Sequence, residues 1–438
     1  MIDKNWLRLM PVAVAAAVVF GCGGGGDGGG TDPTSAATPS APAVPTTPPT
    51  TGPATPTGAT RTIAAIEKNS SYIVALSNAM AALRTWDQFR LQGEFLTARA
   101  IADMDGDGVN DVVAAGGVFQ VTTGTPMRFY KGSVTGFLDA TAKTITGPVP
   151  SLVHARKMIL GDYNGDGFLD VFVCAHGYDA PPFPGTTNAM LLSAGQGKWT
   201  AASQSWSTYV GFSHGCASGD VRGNGSADIF VTDSNNKSYF LANDGRGVFT
   251  QDTSRLPASL SKKMPIFTAE IMDVDSDGNL DLVVGGVEPD QGAMVFWGDG
   301  TGSYSDARST AIPAVAGWQN HLHFAAEDID ADGVKELVVG RVPGLAGAPN
   351  FYQGQYIQVL KVSPTRTLTD VTAAWAGATN TSATTTVVNN AKPTWIEWVY
   401  VVDYDKDGKP DLVGSDEWTG NYWAKNNGTS FGAWQKIR

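Results

Sequence analysis

Catalytic motifs and cysteine are both scarce in this sequence. Only three of its 438 residues are cysteine. It has no phosphate-binding P-loop, no His-Glu-x-x-His zinc motif and no dinucleotide-binding glycine fingerprint between a strand and a helix. These absences give no support to a nucleotide-binding enzyme, a zinc protease or a dehydrogenase. No residue is predicted to be catalytic.

Positive charge is also in short supply. The chain has 30 Lys and Arg residues against 42 Asp and Glu residues, so its formal net charge is −12. A surface with this balance repels a phosphate backbone, so we expect no nucleic-acid partner. The apolar run at residues 9–20 spans twelve residues. A membrane-spanning helix needs about 20 residues, so this run is too short to span a bilayer comfortably.

The N-terminus predicts export. Two basic residues precede the apolar run, as in a secretory signal, which we place at residues 1–21. Residues 19–22, Val-Phe-Gly-Cys, resemble a bacterial lipobox, although Phe20 replaces the usual small residue. The resemblance implies a lipid on Cys22 that anchors the protein to a membrane. The expected location is the bacterial outer membrane or cell surface, with secretion or the periplasm as the alternative.

The next segments differ in composition from the rest of the chain. Residues 22–60 are rich first in Gly and then in Pro, Thr, Ala and Ser, with almost no bulky apolar side chain. Such a segment cannot bury enough surface to offset its conformational entropy, so we expect a disordered tether. Residues 61–95 have Ala-rich, roughly helical spacing. They predict a short helical preface to the domain that follows.

One acidic unit recurs six times in the remaining chain. Residues 103–111 read Asp-Met-Asp-Gly-Asp-Gly-Val-Asn-Asp, with carboxylates at positions one, three, five and nine and glycine at position six. Spacings of 53 to 75 residues between copies indicate a repeat architecture. All six copies keep the glycine, and they begin at Asp103, Asp162, Asp220, Asp273, Asp328 and Asp403.

Apolar runs on both sides of each unit predict strands. A mostly apolar run precedes the loop, and a Val/Leu/Phe-rich run follows it, as at residues 171–173. A second strand pair around a Gly turn comes later, as at residues 239–249. Four short strands in each repeat predict an all-β fold of the β-propeller class, whose closed ring protects the sheet edges.

The loops and hairpins together resemble a known family. The pattern Asp-x-Asp-x-Asp-Gly-x-x-Asp and the hairpin Asn-Asp-Gly-x-Gly-x-Phe resemble FG-GAP/VCBS repeats, which build calcium-binding propellers in bacterial surface proteins and integrin α chains. The resemblance covers roughly residues 95–438, and we place the propeller at residues 96–438. It implies four-stranded blades, six of them bearing a loop, with a seventh blade possible if residues 61–95 supply strands. The family spans many functions, so the motifs indicate fold and ion better than activity.

The resemblance also implies a ligand set for each loop. Side-chain oxygens of positions one, three, five and nine and the carbonyl of position seven hold Ca²⁺ in such loops, and hard cations take several oxygens at once. Five copies are complete, so about five calcium ions with a mainly structural role are expected. The expected ligands are Asp103, Asp105, Asp107, Val109, Asp111, Asp162, Asn164, Asp166, Phe168, Asp170, Asp273, Asp275, Asp277, Asn279, Asp281, Asp328, Asp330, Asp332, Val334, Glu336, Asp403, Asp405, Asp407, Lys409 and Asp411.

The alternative for these loops is a set of Asx-rich turns that cap hairpins without any ion. Ligand positions hold 21 of the 42 acidic residues, and four carboxylates within nine residues repel one another without a cation. We therefore favour a bound ion. Calcium is favoured over magnesium, because magnesium prefers rigid octahedral sites with several waters.

The third copy departs from the pattern. Arg222 stands at position three, and a guanidinium cannot coordinate a cation. It can pair instead with Asp220 or with Asp228. We predict an ion-free loop held by an internal salt bridge.

The strand ends away from the loops gather all five histidines and many aromatic residues. This mixture suits carbohydrate or protein ligands, although Trp and His can also pack the channel at the axis. A zinc site is not expected, since the histidines come from different repeats without a fixed ligand spacing. The ligand-face candidates are His154, His176, Tyr178, His214, Trp318, His321, His323, Arg341, Trp395, Trp398 and Trp418, with Arg156, Asp179, Asn320, Glu397 and Glu417 beside them.

Three functions stay open. The first is a surface-anchored binding or adhesion module for glycan or protein ligands. The second is a polysaccharide-active enzyme, a lyase or a hydrolase, with its site opposite the calcium loops. The third is a structural part of an envelope assembly. The missing catalytic motifs and the long tether favour the first, so an enzyme is the less expected outcome.

Two cysteines lie in predicted strands of neighbouring repeats. In an oxidising compartment, Cys174 and Cys216 form either a disulfide or a pair of buried thiols. The sequence does not decide between the two states.

Overall fold

The computed structural model describes residues 94–118, 121–133, 136–195, 197–262, 264–288, 292–343, 354–383, 396–416 and 420–437. Within them, each acidic loop joins two antiparallel strands, because the apolar runs on its two sides pair with each other. The third and fourth strands of each repeat extend the same sheet outwards. One repeat therefore makes one blade, and the described residues form six blades in a propeller arrangement, as the sequence predicts.

The six blades are numbered in chain order, and the strands of each blade are counted from the first to the fourth. Their bounds are Glu94–Ala102, Asp111–Val118, Arg128–Ser133 and Gly136–Asp139 in blade 1; Ala155–Gly161, Asp170–Ala175, Ala189–Ser193 and Trp199–Ala201 in blade 2; Cys216–Gly219, Asp228–Val231, Tyr239–Asn243 and Phe249–Asp252 in blade 3; Ile266–Met272, Asp281–Gly286, Met294–Phe296 and Ser309–Ala311 in blade 4; Asn320–Glu327, Glu336–Val342, Tyr356–Val362 and Leu368–Asp370 in blade 5; and Trp398–Val402, Asp411–Asp416, Gly420–Ala424 and Gln435–Lys436 in blade 6.

Short elements lie between these strands along the chain. Ile145–Thr146 pairs in parallel with the fourth strand of blade 2 and gives that blade a fifth strand, which covers its outer edge. The other short elements are the strand pairs Thr125–Pro126 with Ser151–Leu152 and Thr186–Thr187 with Val210–Gly211, the α-helices Thr141–Thr144, Thr372–Trp375 and Gly377–Ala383, and the 3₁₀ helices Ser205–Thr208 and Asp306–Arg308.

The core lies between the blades. Second strands are buried along their length, as in Asp170–Ala175, and this explains their run of Val, Phe and Ala. First strands of successive blades pack against one another along the ring. Tyr400 and Val402 of blade 6 belong to the same buried cluster as Ala100 of blade 1, which closes the ring by packing.

A disulfide joins blades 2 and 3. Cys174 lies in the second strand of blade 2 and Cys216 in the first strand of blade 3, with their Cα atoms 6.2 Å apart. Both side chains are fully buried. Of the two states that the sequence leaves open, a disulfide or a pair of buried thiols, the structure contains the disulfide.

The first strand carries a β-bulge in blades 1, 2, 4 and 5. Pairing with the second strand skips the residue six positions before the acidic loop in blades 2, 4 and 5, for example between Ala155 and Lys157, and it skips two residues between Phe95 and Ala98 in blade 1. A bulge re-aims the neighbouring side chains. Arg156 and Lys157 accordingly both line a cavity of only about 10 Å³ at the centre of the ring, together with residues from blades 3 to 6. Side chains from neighbouring blades therefore meet around this small cavity.

Several expectations concern residues outside the described part of the chain. The export signal, Cys22, the tether and nearly all of the preface lie within residues 1–93. Glu94 and Phe95, the last two residues of the expected preface, begin the first strand of blade 1. Among the described residues, no helix has the length and apolarity to cross a bilayer.

Candidate functional site

The acidic loops hold their own shape through backbone hydrogen bonds. The position-one carboxylate accepts the N–H of the position-six glycine in all six loops, as from Gly108 to Asp103 at 2.9 Å. The position-five side chain accepts the N–H of position seven, as from Val109 to Asp107. The six glycines have φ between +83° and +90°, a region that other residues enter at a cost, which explains why none is replaced.

The position-nine carboxylate is buried and links its loop to the rest of the blade. Asp170 accepts the N–H of Tyr163 at 2.7 Å with one oxygen and that of Ser193 at 2.6 Å with the other, so it ties the loop to the third strand. Burial raises the pKa of Asp170, of Asp281 and of Glu336 to about 7. A cation beside these groups would favour their ionised forms. The position-nine residues are thus structural residues as well as expected ligands.

The donor sets of four loops fit a hard cation. In the loops of blades 1, 4, 5 and 6, three carboxylates each bring one oxygen within 4.8 Å of the others. In blade 4, Asp273 Oδ1 is buried and accepts no hydrogen bond within the described structure. Clustered oxygens of this kind match the preference of calcium. These acidic clusters can therefore hold a metal ion.

Basic side chains that the sequence did not predict contact these same oxygens. Lys131 Nζ lies 2.7 Å from Asp105 and 2.8 Å from Asp107, and the Arg366 guanidinium lies 2.7 Å from Asp275. Lys361 and Lys425 occupy the place equivalent to Lys131 in blades 5 and 6 and contact the carboxylates of those loops. A cation entering such a loop would compete with these basic groups. These basic residues lie on the third strand or on a neighbouring hairpin. Only the strand register of the folded chain brings them close to the acidic loops.

The loop of blade 3 carries the predicted salt bridge. Arg222 Nη2 donates to Asp228 Oδ1 at 2.7 Å and to the Asn243 carbonyl at 2.6 Å. Arg255 Nη1 lies 2.8 Å from the other Asp228 oxygen. Two guanidinium groups therefore neutralise the position-nine carboxylate. In the other loops, a bound cation would supply this positive charge.

Replacing Arg222 with aspartate is expected to create one additional calcium site. The substitution supplies the missing position-three carboxylate and removes the guanidinium that contacts Asp228. Calcium per chain, measured by elemental analysis after equilibrium dialysis, should rise by one. Arg222→Ala, which removes the guanidinium without adding a ligand, should keep the wild-type count. An unchanged count for Arg222→Asp would contradict this interpretation of the loop.

Opposite the loops, one charged cluster fills the axis. Lys157 of blade 2 forms a salt bridge with Glu270 of blade 4, and its ammonium lies 5.7 Å from the centre of the Trp398 ring. His323 of blade 5 places Nε2 3.1 Å from Glu270, and its Nδ1 lies 2.8 Å from the Val399 carbonyl of blade 6. Burial acts against the Glu270 charge, yet Lys157 and His323 hold the pKa of Glu270 below its ordinary value. These side chains join four blades.

A second buried cluster lies in blade 5. Arg341 Nε donates to Gln358 at 2.8 Å, its Nη2 donates to the Pro313 carbonyl at 2.8 Å, and its Nη1 lies 3.2 Å from Glu288. His321 Nε2 lies 3.4 Å from the same Glu288 oxygen. His321, His323 and Arg341 are all buried. These three predicted ligand-face residues therefore lie in the interior. Their burial favours the alternative, in which such residues pack the axis and do not bind a ligand.

Other candidates reach the surface in part. Tyr178, His214, Trp318 and Trp398 are half-buried, and Trp318 stacks on Tyr356 with ring centres 5.5 Å apart. Trp395, Glu417 and Trp418 lie outside the described residues.

One pair of histidines corrects the sequence interpretation. His154 and His176 do not come from different repeats: both belong to blade 2, one just before its first strand and one just after its second. Their rings lie 3.9 Å apart, and Asp179 lies close to both. Burial lowers the pKa of His214, which stacks on His176, to about 3. Burial also lowers the pKa values of His154 and His176 well below the ordinary value, which favours the neutral form of both rings.

One opening on this face was not predicted from the sequence. It is a groove of about 480 Å³ on blade 3, solvent-open, and we call it the blade 3 groove. Its volume falls in the range of about 300–1,000 Å³ usual for small-ligand sites. One aromatic ring, three amide groups, one ammonium group and one hydroxyl group line it: Tyr209, Asn235, Asn236, Lys237, Gln251 and Thr253. No sequence motif marks it, because three separate loops and strand ends supply these residues.

The buried carboxylate of Asp233 positions this groove. Tyr209 Oη donates to Asp233 at 2.7 Å, and the backbone N–H groups of Asn235 and Asn236 donate to the same carboxylate at 2.9 and 3.2 Å. Burial and the Asp233 carboxylate raise the pKa of Tyr209, so its hydroxyl stays protonated. Asp233 therefore holds the Tyr209 hydroxyl and the backbone of Asn235 and Asn236 in place at one side of the groove.

A pattern matching the nucleophile elbow, Gly-x-Ser-x-Gly, is also present at residues 211–215. The structure does not give it the context of that motif. Ser213 is fully buried, its Oγ accepts a hydrogen bond from Asn188 Nδ2 at 3.1 Å, and a strand follows where an elbow would require a helix. The pattern therefore provides no nucleophile.

The fold and its loops define a class: a six-bladed propeller with Asp-rich loops at one end of every blade. The model of the FG-GAP-like repeat matches residues 103–173, 162–231, 220–284 and 273–339 in overlapping pairs of blades. These matches span more than half of the chain, and the chain belongs to this family. The resemblance that the loops suggested is thereby confirmed.

No curated protein matches the chain. Among solved structures, the chain is similar to the structure of SapL1 lectin in complex with alpha methyl fucoside, with a TM-score of 0.39 and 10% identity over 78% of this chain and 97% of that one. A likeness this distant carries no argument about ligands.

Proposed function

We propose that the chain is a binding module in which a calcium-stabilised propeller presents the blade 3 groove to a glycan. The observation that carries the proposal is the composition of this groove: one tyrosine ring beside amide, ammonium and hydroxyl groups, open to solvent. A sugar offers an apolar C–H face and a ring of hydroxyls. An aromatic ring packs on the first and polar side chains bond to the second.

Calcium has a structural role in this proposal. The loops of blades 1, 2, 4, 5 and 6 bind one ion each, and each ion fixes the turn between the first and second strands of its blade. Five ions contribute +10 to a formal net charge of −12. The loops and the groove lie at opposite ends of the strands, so the ions stabilise the fold and do not touch the ligand.

The proposed setting is the cell surface. The export signal, the lipid on Cys22 and the polar segment at residues 22–60 would tether the propeller to a bacterial outer membrane and leave its faces open to solvent. This part of the proposal rests on the sequence alone.

Glycan-array binding tests the groove. We expect the wild-type chain to retain a defined set of glycans and Tyr209→Ala to bind them at least tenfold more weakly, because the stacking ring is lost. Tyr209→Phe should lose less, since it keeps the ring and removes only the hydrogen bond to Asp233. Tyr356→Ala, a tyrosine on blade 5, is the control and should bind as the wild type does.

Two outcomes would contradict the proposal. The first is a wild-type chain that retains no glycan, and the second is equal binding by Tyr209→Ala. Cleavage of a polysaccharide by the wild-type chain would instead favour the alternative of a lyase or hydrolase.

A further inference from the structure

The ends of two blade 2 strands bring together a set of metal ligands. His154 immediately precedes the first strand and His176 immediately follows the second, so antiparallel pairing places them side by side. The N–H of Gly177 donates to the Val153 carbonyl at 3.0 Å and extends this pairing. Asp179 follows in the loop, and one ligand atom from each of the three side chains lies within 4.8 Å of the others.

Hydrogen bonding fixes the tautomer of the central ring. His176 Nδ1 lies 2.8 Å from the Gly177 carbonyl, and since a carbonyl only accepts, Nδ1 carries the hydrogen. The lone pair therefore lies on Nε2. Metal-binding histidines commonly donate their second N–H to a carbonyl or carboxylate in this way. His214, stacked on His176, makes the equivalent bond to the Phe267 carbonyl at 2.9 Å.

The backbone at His154 is in an unfavourable conformation. Its φ is +56°, in the left-handed region that residues other than glycine rarely adopt. Strain of this kind persists where the surroundings fix it and is concentrated at functional sites. Here it turns the imidazole towards His176, with ring centres 3.9 Å apart.

We propose that His154, His176 and Asp179 bind a divalent transition metal, with zinc the best match to the ligand set. Two imidazoles and one carboxylate are a three-ligand set of the kind that holds zinc while leaving a fourth position for water or a ligand group. His154 and Asp179 are half-buried, whereas His176 is buried. The calcium loops lie about 20 Å away, at the other ends of six-residue strands, and offer only oxygen.

The charge around this site has a testable effect. Arg156 lies next to the cluster and faces Glu397 at 3.7 Å, which offsets part of its charge. A guanidinium beside a cation weakens binding by repulsion. Arg156→Gln should therefore tighten zinc binding several-fold, whereas loss of a ligand should weaken it.

The experiment is zinc titration of the whole chain by calorimetry in excess calcium, which keeps the acidic loops out of the measurement. We expect one zinc ion per chain with a dissociation constant in the micromolar range or below. Asp179→Asn and His154→Gly should each weaken binding at least tenfold. Glycine suits the positive φ of position 154, so that variant removes the ring without unfolding the loop. Asp405→Asn, in the blade 6 loop, is the control and should bind zinc as the wild type does.

A spectrum supplies a second readout that does not depend on variant stability. Cobalt bound to the wild-type chain should show the visible absorption of a low-coordinate site, and zinc should displace it. The proposal is overturned if the wild-type chain binds zinc no more tightly than millimolar. Retention of full affinity by both ligand variants would overturn it as well. Neither result bears on the calcium loops or on the glycan groove.

Discussion

Chelation of calcium is expected to lower the melting temperature of the chain by about 15–20 °C. An ion present at 100 times its dissociation constant stabilises the native state by about 2.7 kcal/mol, so five ions contribute about 13 kcal/mol. The unfolding entropy of a propeller this long is about 0.7 kcal/mol per kelvin. Calorimetric melts with calcium and with EDTA measure the difference directly. Since whole domains are stable by only about 5–15 kcal/mol, the chelated chain should be close to unfolding.

Two position-five variants separate calcium from the turn itself. Asp332 in blade 5 accepts the N–H of Val334 at 2.9 Å, and Asn224 in blade 3 accepts that of Ser226 at 3.1 Å. Both side chains lie in exposed turns. Asp332→Ala should lose one calcium ion and its share of the calcium-dependent shift, whereas Asn224→Ala should change neither. An EDTA melt identical to the calcium melt would show that the loops hold their shape as Asx turns alone.

Reduction of the Cys174–Cys216 disulfide is expected to lower the free energy of unfolding by about 4 kcal/mol in the chain-entropy model. The bond closes a loop with a sequence separation of 42, and opening it releases that loop in the unfolded state. The matching fall in melting temperature is about 5–6 °C for a domain of this size. Denaturant melts with and without a reductant, at a constant calcium concentration, measure this change.

The double variant Cys174→Ala, Cys216→Ala distinguishes the cross-link from the packing of the two sulfur atoms. Both cysteines are fully buried, so the alanines add a cavity cost to the loss of the bond. The variant should therefore be less stable than the reduced wild-type chain and insensitive to the reductant. A wild-type chain whose stability does not change on reduction would contradict the expected role of the bond.

The repeat made most of the fold predictable. Each loop has a carboxylate at position one and a glycine at position six, and those two residues form the same hydrogen bond in all six blades. Strand positions followed, because the apolar runs lie directly beside the loops. The fifth strand of blade 2, Ile145–Thr146, could not be predicted, since it pairs with a strand more than 50 residues away. Only the folded ring brings those residues together.

The loops were predicted in part. The Arg222–Asp228 pair follows from local spacing, because both residues lie within one loop. The contacts of Lys131 and Lys361 do not, because they depend on the register of the third strand against the loop. The second hydrogen bond of Asp170, to Ser193, depends on the same register. Residues of one type at one spacing can indicate a site, but partners from other strands complete it.

The opposite face was the hardest part to predict. Bulges in the first strands turn adjacent side chains such as Arg156 and Lys157 towards the axis, and strict alternation would have sent one of them away. The assignment of all the histidines to different repeats was wrong for His154 and His176, because these two residues flank the paired first and second strands of one blade. The blade 3 groove depends on loops around Tyr209 and Asn235 that carry no repeat motif.

The positions of bound calcium in the folded chain test most directly whether the acidic loops are structural calcium sites. Crystals grown with calcium and measured for anomalous scattering should show five ions, one in each loop of blades 1, 2, 4, 5 and 6. The blade 3 loop should contain the Arg222–Asp228 salt bridge and no ion. Absence of calcium from the five loops, or an ion beside Asp228, would contradict the account of this propeller as a calcium-stabilised scaffold.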